Sequence, residues 1–323
     1  MDTEFKEGTI PFAIPSVRKP CFTYYKIAGD LDCGKPPIIC LHGGPGGTHR
    51  LMVDFAELWP RYGHPVILYD MIGCGQSTNL DDEKGADESF WTVSLFVDEL
   101  NNLVDHFKLN VNLGFHIIGA SFGSVLGADF ATTQPQGLRR LVLGCPAASG
   151  PSIVRGLRSR IDELPAEHQQ VINDAVMRQR FGSKAFKTAY RAFARYAVCR
   201  AEPFPAVFER SIQNVDSPST GVVLAMRGPC VFGTKLGSLR EWDVTDRLNQ
   251  ITAKTLLWHG EYDHATDDCV RPLFERIPRV RWYTFPGSGH VVTYESRELR
   301  EACLTLTGDF LSQVEADVDA QVE

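Results

Sequence analysis

Short, almost wholly apolar runs alternate with amphipathic segments along most of this chain, and no other sequence feature restricts the possible fold as strongly. Seven runs rich in β-branched and aromatic residues are predicted to be buried strands: 22–27, 37–41, 65–70, 116–118, 139–145, 254–260 and 280–285. Between Thr92 and Phe107 the apolar side chains recur with the period of a helix. Strands that are apolar on both faces and are separated by helices form a mostly parallel sheet covered on both sides. The predicted fold class is therefore α/β, with a mostly parallel central sheet and helices on both faces.

The alternation of strands and helices is interrupted between residues 148 and 250. Residues 151–200 are predicted to be wholly helical, and they carry ten Lys or Arg against four Asp or Glu in a chain whose net charge is −7. After residue 250 the alternation resumes. We therefore expect one α/β core, residues 1–147 and 251–313, that is interrupted by a helical insertion at 148–250 and followed by an acidic tail at 314–323.

Composition excludes several classes of protein. The negative net charge argues against a protein that binds the nucleic-acid backbone, and no apolar run approaches the roughly 20 residues that span a bilayer. The first residues, MDTEFKEGTIPF, lack the basic and then apolar start of a secretory signal. Nine cysteines, an odd number with no C-x-x-C pair, are typical of reduced thiols rather than disulfides or a zinc site. We expect a cytoplasmic protein with no bound metal and with no nucleic-acid or membrane partner.

One serine lies where a strand is predicted to turn into a helix. Ser121 is the centre of the sequence Gly-Ala-Ser-Phe-Gly, which begins just after the apolar run 116–118. Small residues at 119 and 123 let the strand and the helix approach closely, and such a sharp turn holds the hydroxyl above the sheet edge. G-x-S-x-G also arises by chance, so a purely structural turn is the alternative. The position between a strand and a helix favours a nucleophile.

A serine hydroxyl becomes a nucleophile only when a base takes its proton and an acid orients that base. On a parallel sheet of this kind, the partners follow in the order Ser, Asp or Glu, His. Asp263 and His290 each follow a predicted strand, at the carboxyl edge where ligands bind in such folds. Asp263 could instead be a turn or capping carboxylate, with Asp267 or Asp268 in its role, and His290 could be an ordinary loop histidine.

A glycine-rich loop, LHGGPGGTH at 41–49, directly follows another predicted strand. Acyl transfer develops a negatively charged oxygen, and backbone N–H groups that are fixed in advance stabilise it. We expect the amides of Gly43 or Gly44 to form an oxyanion hole with the amide of Phe122. A phosphate-binding loop is disfavoured because neither G-x-G-x-x-G nor a P-loop lysine is present, and a plain tight turn is the remaining alternative.

Together these motifs resemble the α/β-hydrolases of the proline iminopeptidase family, the S33 serine peptidases. Further matching stretches follow the family's order: DMIGCGQS at 70–77, MRGP at 226–229, LREWDVTDRL at 239–248, GEYD at 260–263 and GSGH at 287–290. With them the resemblance extends over nearly the whole chain. It implies an α/β-hydrolase fold with a helical cap over residues 148–250, and it implies that Ser121, Asp263 and His290 are nucleophile, acid and base.

The chain departs from the family at the positions that bind a substrate ammonium group. Family members that remove an N-terminal residue hold its ammonium with glutamates, one in a Gly-Pro-x-Glu-Phe stretch and one that can directly follow the triad acid. Val231 and His264 occupy these two positions here, and Met71 replaces a usual glutamine. Burying an ammonium without a counter-charge costs several kcal/mol, so these replacements argue against a free-amine substrate. Other carboxylates could take over the role: Glu202, Glu209 and Glu295.

The substrate pocket is the least determined part of the sequence. We expect Val231 and Phe232 to form its floor with Cys230, favouring a larger and less polar acyl group than proline, and we expect His264 and Glu295 to contact the substrate. The basic residues of the insertion are predicted to form a solvated helix face, or, as the alternative, to supply one or two arginines that bind a substrate carboxylate. These residues are Arg155, Arg158, Arg160, Arg178, Arg180, Lys184, Lys187, Arg191, Arg195 and Arg200.

The function predicted from the sequence is that of a serine hydrolase that uses no cofactor. Through an acyl-enzyme it cleaves a small amide, ester or lactone, in a small-molecule or short peptide-like substrate. A true proline iminopeptidase that releases N-terminal residues is the alternative within this mechanism. A ligand-binding, lyase or cyclase use of the same pocket is the alternative from another class. Epoxide and haloalkane hydrolysis are disfavoured, because those relatives need a carboxylate where this chain has Ser121.

Overall fold

One eight-stranded sheet organises the chain. The computed structural model describes residues 4–111, 113–213, 220–232 and 237–313, and the acidic tail predicted at 314–323 lies outside the described residues. The strands are β1 (Phe5–Pro11), β2 (Phe22–Ala28), β3 (Ile38–Leu41), β4 (Val66–Asp70), β5 (Phe115–Ala120), β6 (Leu138–Gly144), β7 (Lys254–Gly260) and β8 (Val280–Phe285). Seven of them match the predicted runs to within two residues, whereas β1 was not predicted.

The strands are arranged in the order β1-β2-β4-β3-β5-β6-β7-β8. Strands β4, β3, β5, β6, β7 and β8 run parallel to one another, and β1 and β2 add an antiparallel edge. The prediction of a mostly parallel sheet is confirmed. Because the carboxyl ends of parallel strands lie at the same edge of a sheet, the loops that follow β3, β5, β7 and β8 meet there.

Ten α-helices accompany the sheet in the described chain. They are α1 (Leu58–Tyr62), α2 (Val93–His106), α3 (Phe122–Thr132), α4 (Gly150–Asp162), α5 (Ala166–Arg178), α6 (Lys184–Phe193), α7 (Ala206–Gln213), α8 (Gly221–Arg227), α9 (Asp267–Arg276) and α10 (Arg297–Ser312). A π-helical turn at Ala194–Val198 follows α6 directly. In the described chain, no helix combines the length and the apolar character that a bilayer crossing requires.

Both faces of the sheet are buried, and alternate residues of each strand point to opposite faces. In β3, Ile39 belongs to the apolar cluster that includes Phe96 of α2 and Leu126 of α3. Its neighbour Ile38 belongs to a second cluster, which includes Phe310 of α10. Helices therefore cover both faces, as the near-continuous apolar strands predict.

Five helices, α4 to α8, lie between β6 and β7. Residues of α4, α5 and α6 form an apolar cluster of their own, whereas α8 contributes Val222, Ala225 and Met226 to a cluster of the core. The chain leaves and re-enters the core at one place, since the amide of Gly150 donates to the carbonyl of Trp242 over 2.8 Å and the amide of Val244 donates to that of Ala148 over 3.0 Å. Trp242 also donates its indole N–H to Asp129 of α3, at 2.7 Å. The division into core and cap at residues 148 and 250 stays a prediction.

Candidate active site

Ser121 lies at the turn between β5 and α3. Its backbone has φ 56° and ψ −119°, a conformation that non-glycine residues rarely adopt and that costs about 1–3 kcal/mol. The amide of Ser121 donates to the carbonyl of Gly144 over 2.9 Å, which fixes the turn against β6. A β-carbon on Gly119 would collide with the carbonyl of Gly123, and one on Gly123 would collide with the carbonyl of Leu41. The two glycines are therefore required by the close approach of strand and helix.

Asp263 and His290 are in direct contact. Asp263 follows β7, His290 follows β8, and His290 Nδ1 lies 2.7 Å from Asp263 Oδ1. The same carboxylate oxygen accepts the amide of Ala265 at 2.8 Å. Because a carboxylate can only accept, Nδ1 carries the hydrogen and Nε2 is left with a free lone pair, which is the state that a general base requires.

The Asp263 carboxylate is fully buried. Burial alone would raise its pKa, but the adjacent His290 ring outweighs burial and holds the pKa of Asp263 well below its usual value. Asp263 is therefore ionised and can stabilise an imidazolium on His290. The two residues that the sequence singled out as acid and base thus form an oriented pair in which Asp263 carries the negative charge.

Ser121 and His290, the predicted nucleophile and base, lie at the same rim of the sheet. A small cavity of about 70 Å³ is lined by Gly43, Ala120 and His290, among others, and Ala120 immediately precedes Ser121. The hydrogen bonds of His290 in the described chain are made through Nδ1 and through its backbone. The transfer of a proton from the Ser121 hydroxyl to Nε2 therefore stays a prediction.

The glycine-rich loop faces Ser121. A β-carbon on Gly43 would lie 3.1 Å from Ser121 Cβ and 3.7 Å from Ser121 Oγ, so the Gly43 backbone packs directly against the serine. Gly44 has φ +135°, and a β-carbon there would lie 2.6 Å from the nitrogen of Gly46. Phe122 is the first residue of α3, so its amide has no acceptor within the helix. The amides predicted to form the oxyanion hole are thus beside Ser121.

Two histidines that the sequence reasoning did not assign hold this loop in position. His42 Nδ1 lies 2.9 Å from the carbonyl of Gly43, and its Nε2 accepts the amide of Met71 at 3.1 Å. Burial lowers the pKa of His42, so the ring is neutral and can donate at one nitrogen and accept at the other. His49 Nδ1 lies 2.8 Å from Asp70 Oδ1. His42 and Asp70 are within stretches that match the family, and this was the available signal; His49 lies two residues beyond the first of them.

His264 lies against the ring of the proposed base. The centroids of the His264 and His290 rings are 4.0 Å apart, and His264 Nδ1 is 3.5 Å from Asp263 Oδ1 without a hydrogen bond between them. Burial, followed by the charge of His290, lowers the pKa of His264 to about 3. A neutral imidazole therefore occupies the position at which the family resemblance expects a carboxylate.

Cys145 lies beside Asp263 and His290. Its thiol donates to the carbonyl of His290 at 2.9 Å. The ligand-type atoms of Cys145, Asp263 and His290 all lie within 4.8 Å of one another, and in the described chain they are the one group of this kind that could hold a metal ion. A metal on His290 Nδ1 would break the 2.7 Å hydrogen bond to Asp263. The arrangement of Asp263 and His290 therefore fits the predicted triad with Ser121 better than a metal centre with Cys145.

Glu295 holds the loop that carries His290. Its Oε1 accepts the amide of Gly289 at 2.6 Å, and its Oε2 accepts the amide of Arg200 at 2.7 Å. Burial raises the pKa of Glu295. The carboxylate thus joins the His290 loop to the segment after the π-helical turn, and this arrangement favours a structural role over the predicted contact with the substrate.

Val231 and Phe232 lie at the inner side of the cap helices. Phe232 is 7% exposed, and its ring centroid is 4.7 Å from that of Phe193 and 5.0 Å from that of Tyr190. The Phe193 ring is in turn 6.2 Å from the ring of His264. Val231 and Phe232 also line an apolar cavity of about 490 Å³ between α4 and α5. Their predicted role as the pocket floor stays a prediction that this apolar setting supports.

Most of the basic side chains of the insertion form ion pairs or hydrogen bonds with other groups of the described chain. Arg158 pairs with Asp162, Arg191 with Glu209 and Arg195 with Glu202. These pairs are largely exposed, as expected of a solvated helix face. They also engage Glu202 and Glu209, two of the alternative ammonium-binding carboxylates.

Arg160 is different, because it connects the insertion to the catalytic loop. Its Nε donates to the carbonyl of Asp263 at 3.0 Å, and its Nη2 donates to the carbonyl of Glu261 at 2.7 Å. Only 15% of its side chain is exposed. A cap helix therefore fixes the backbone of the residue that orients His290. Nothing in the spacing of the basic residues singled out Arg160 for this contact.

Comparisons with known proteins agree with this geometry. A family model described as the alpha/beta hydrolase fold matches residues 36–296. The chain is 30% identical to a proline iminopeptidase of Heyndrickxia coagulans over 288 residues, which are 88% of this chain and 93% of that protein. Among solved structures it is similar to VinJ, with 33% identity, a TM-score of 0.83 and coverage of 95% and 98% of the two chains. It is also similar to proline iminopeptidase of Mycobacterium smegmatis, with 32% identity, a TM-score of 0.81 and coverage of 95% and 97%.

Proposed function

This chain belongs to the α/β-hydrolase fold family and, within it, to the proline iminopeptidase family, and on that premise we propose that it cleaves its substrate through an acyl-enzyme on Ser121. The protein is a serine hydrolase. The observation that carries the proposal is the 2.7 Å contact between His290 Nδ1 and Asp263 Oδ1 at the rim where Ser121 packs on Gly43. A base oriented by an ionised carboxylate, beside a strained serine, has the geometry of acyl transfer.

In the first half of the reaction, His290 Nε2 takes the hydroxyl proton of Ser121 while Oγ attacks the carbonyl carbon of the substrate. The carbonyl oxygen becomes an oxyanion and accepts hydrogen bonds from the amides of Gly43 and Phe122. Asp263 stabilises the imidazolium. When the tetrahedral intermediate collapses, the bond to the leaving group breaks and the proton passes from His290 to that group, which leaves an acyl ester on Ser121.

In the second half, a water molecule gives a proton to His290 and attacks the ester carbonyl carbon. The bond between that carbon and Ser121 Oγ breaks, Oγ regains the proton, and the acid is released. The cycle consumes the substrate and one water molecule, so the proposed mechanism requires neither a metal nor a cofactor. It places the enzyme among hydrolases of small amides, esters or lactones.

Labelling with a fluorophosphonate probe tests the nucleophile. We expect the wild-type chain to be labelled and Ser121→Ala to be unlabelled and to lose hydrolysis of 4-nitrophenyl pentanoate. Ser94→Ala, a change at an exposed position of α2, is the matched control and is expected to be labelled as the wild type is. Labelling that persists in a folded Ser121→Ala chain would show that another residue is the nucleophile.

We further propose that the substrate does not need a free N-terminal amine. Val231 and the neutral His264 stand where the family resemblance expects ammonium-binding carboxylates. Comparing prolyl-β-naphthylamide with its N-acylated form tests this, because an enzyme that binds an ammonium group loses the acylated substrate. We expect acylation to leave kcat/KM unchanged or to raise it.

Release of N-terminal residues is the second candidate function. It is favoured by the names of the relatives, several of which are proline iminopeptidases that match most of this chain. A strong preference for the free amine over the N-acylated substrate would establish it in place of the first. The expected substrates are small molecules and the chain is expected in the cytoplasm. Neither expectation calls for a membrane or a partner protein, so both assays use the purified chain alone.

A further inference from the structure

Arg227 has no part in the mechanism above, yet it lies one helical turn from a residue that contacts the glycine-rich loop. It is the last residue of α8, and Val223, one turn earlier, lies on the same face of that helix. Val223 packs directly on Gly46, since a β-carbon on Gly46 would collide with its Cγ2 atom. Arg227 thus lies about 6 Å farther along the helix axis than Val223, the residue that contacts the glycine-rich loop.

A second chain of contacts leads from the catalytic histidine back to Arg227. The His290 ring lies against His264, and His264 lies near Phe193. From Phe193 the aromatic contacts continue through Phe232 to Tyr190 of α6. Tyr190 is close enough to Arg227 to be influenced by its charge: burial raises the pKa of Tyr190, and the Arg227 cation acts in the opposite direction. Arg227 therefore lies near the ring of Tyr190, and one helical turn from the contact between Val223 and the glycine-rich loop.

The Arg227 guanidinium is not satisfied in the described chain. Its Nε is buried and has no hydrogen-bond partner among the described residues. A buried donor without a partner costs free energy, and the cost is larger for a charged group. The helix dipole stabilises a positive charge at the C-terminus of α8, but it does not provide a hydrogen-bond acceptor for Nε. Three other cap arginines, Arg158, Arg191 and Arg195, all pair with carboxylates, so Arg227 stands apart from them.

We propose that Arg227 binds a carboxylate on the acyl part of the substrate. A carboxylate offers a guanidinium two acceptors in matching geometry, and binding it would supply the buried Nε with the partner that it lacks. The acyl side is favoured because Arg227 leads through Gly228 and Pro229 into Val231 and Phe232, the proposed pocket floor. The inference rests on the proposed acyl-enzyme mechanism and names its substrate class: an acid that carries a second, anionic group.

Two esters with acyl chains of equal length test the proposal: 4-nitrophenyl hydrogen glutarate, which is anionic, and 4-nitrophenyl pentanoate, which is neutral. We expect the wild-type enzyme to prefer the glutarate ester by at least about 10-fold in kcat/KM. In Arg227→Gln we expect kcat/KM for the glutarate ester to fall about 30-fold, mainly through KM, and the pentanoate value to stay within about twofold. Arg227→Lys keeps the charge and is expected to retain more of the preference than Arg227→Gln.

Arg195→Gln is the matched control, because it removes a cap arginine whose partner is the exposed Glu202. It is expected to leave both esters unchanged. The probe 4-(pentanoyloxy)benzoate has the neutral pentanoyl chain and carries its charge on the leaving group, and an Arg227-dependent preference for that probe would overturn the assignment to the acyl side. An equal loss of both 4-nitrophenyl esters in folded Arg227→Gln, or no loss of either, would overturn the role of Arg227 in recognising an anion.

The wild-type enzyme alone keeps the proposal testable if the variants do not fold. A wild-type preference for the neutral ester refutes an anionic subsite without any substitution. Failure of the acyl-enzyme mechanism gives a different result, because hydrolysis of both esters would then survive in Ser121→Ala. The two hypotheses can therefore fail separately.

Discussion

The catalytic rim of the sheet and the inserted helices are stabilised in different ways. At the rim, side chains such as His42 and Asp263 are buried and are fixed by hydrogen bonds to backbone groups or to one another. Among the inserted helices, α4, α5 and α6 share an apolar cluster, and several of the charged side chains are paired at the surface. A hydrogen-bonded site tolerates few changes, whereas an apolar cluster accepts substitutions that conserve volume. From this difference we predict that the core fixes the chemistry and that the inserted helices select the substrate.

The largest effect is expected at the rim, from Asp263→Asn. The amide cannot hold the protonated Nδ1 of His290 as a carboxylate does, so the ring loses the correct tautomer and its counter-charge. We expect kcat to fall by about 10³- to 10⁴-fold with little change in KM. Steady-state kinetics with 4-nitrophenyl pentanoate measure this. A loss of less than tenfold would mean that another acid orients the base.

Gly123→Ala is expected to break the turn itself. Its β-carbon would collide with the backbone carbonyl of Leu41, which cannot move away as a flexible side chain could. We expect the free energy of unfolding to fall by about 3 kcal/mol and fluorophosphonate labelling to be lost. Gly287→Ala is a useful contrast, because that glycine has φ +72° but no atom within 4 Å of a β-carbon, so only the backbone strain remains. Denaturant unfolding of both variants separates collision from strain.

Arg160→Gln tests a largely buried polar connection between the two regions. Removing its hydrogen bonds to the carbonyls of Asp263 and Glu261 should loosen the acid loop while leaving the triad side chains in place. We expect kcat to fall about tenfold and stability to fall by about 1–2 kcal/mol. A positioning role predicts that kcat changes while KM does not. Loss of stability with unchanged kcat would instead assign Arg160 to the fold alone.

The pH dependence of stability should reveal the neutral His264. Its pKa is about 3 in the folded chain against about 6.5 in an unfolded one, so between these values only the unfolded chain takes up a proton. This group therefore lowers the stability progressively as the pH falls from about 6.5 towards 3. Urea unfolding at pH 7.5 and at pH 5.5 should differ by about 1 kcal/mol more in the wild type than in His264→Phe. An equal difference in both chains would contradict the assignment.

The smallest effect is expected at the cap surface. Arg195 pairs with Glu202, and 45% and 68% of the two side chains are exposed. Exposed pairs contribute little because solvent and salt screen them, so Arg195→Gln should change the free energy of unfolding by less than about 0.5 kcal/mol and kcat by less than about twofold. A tenfold loss of activity would show that the cap surface, and not only its inner side, belongs to the functional site.

Much of the fold and the identity of the candidate triad could be predicted from local patterns. Apolar runs with helical segments between them indicate the parallel sheet, because each run must be buried on both faces. The order Ser121, Asp263, His290 follows from which loops leave the carboxyl edge of such a sheet. Strand β1 was missed because apolar and polar residues alternate only weakly in FKEGTIP. This segment becomes a strand through its antiparallel hydrogen bonds to β2, which the local sequence does not reveal.

The tertiary structure decided everything that depends on contacts between residues far apart in the chain. Glu295 accepts backbone amides from the His290 loop and from Arg200, and its predicted contact with the substrate stays a prediction. His264 is a neutral ring tilted against that of His290. Arg160 and Arg227 look alike in the sequence, yet one donates to two core carbonyls and the other holds a buried Nε without a partner among the described residues. Such differences arise because burial and partners are set when helices pack against the sheet. Local sequence determines which element a residue occupies, but not what that element meets.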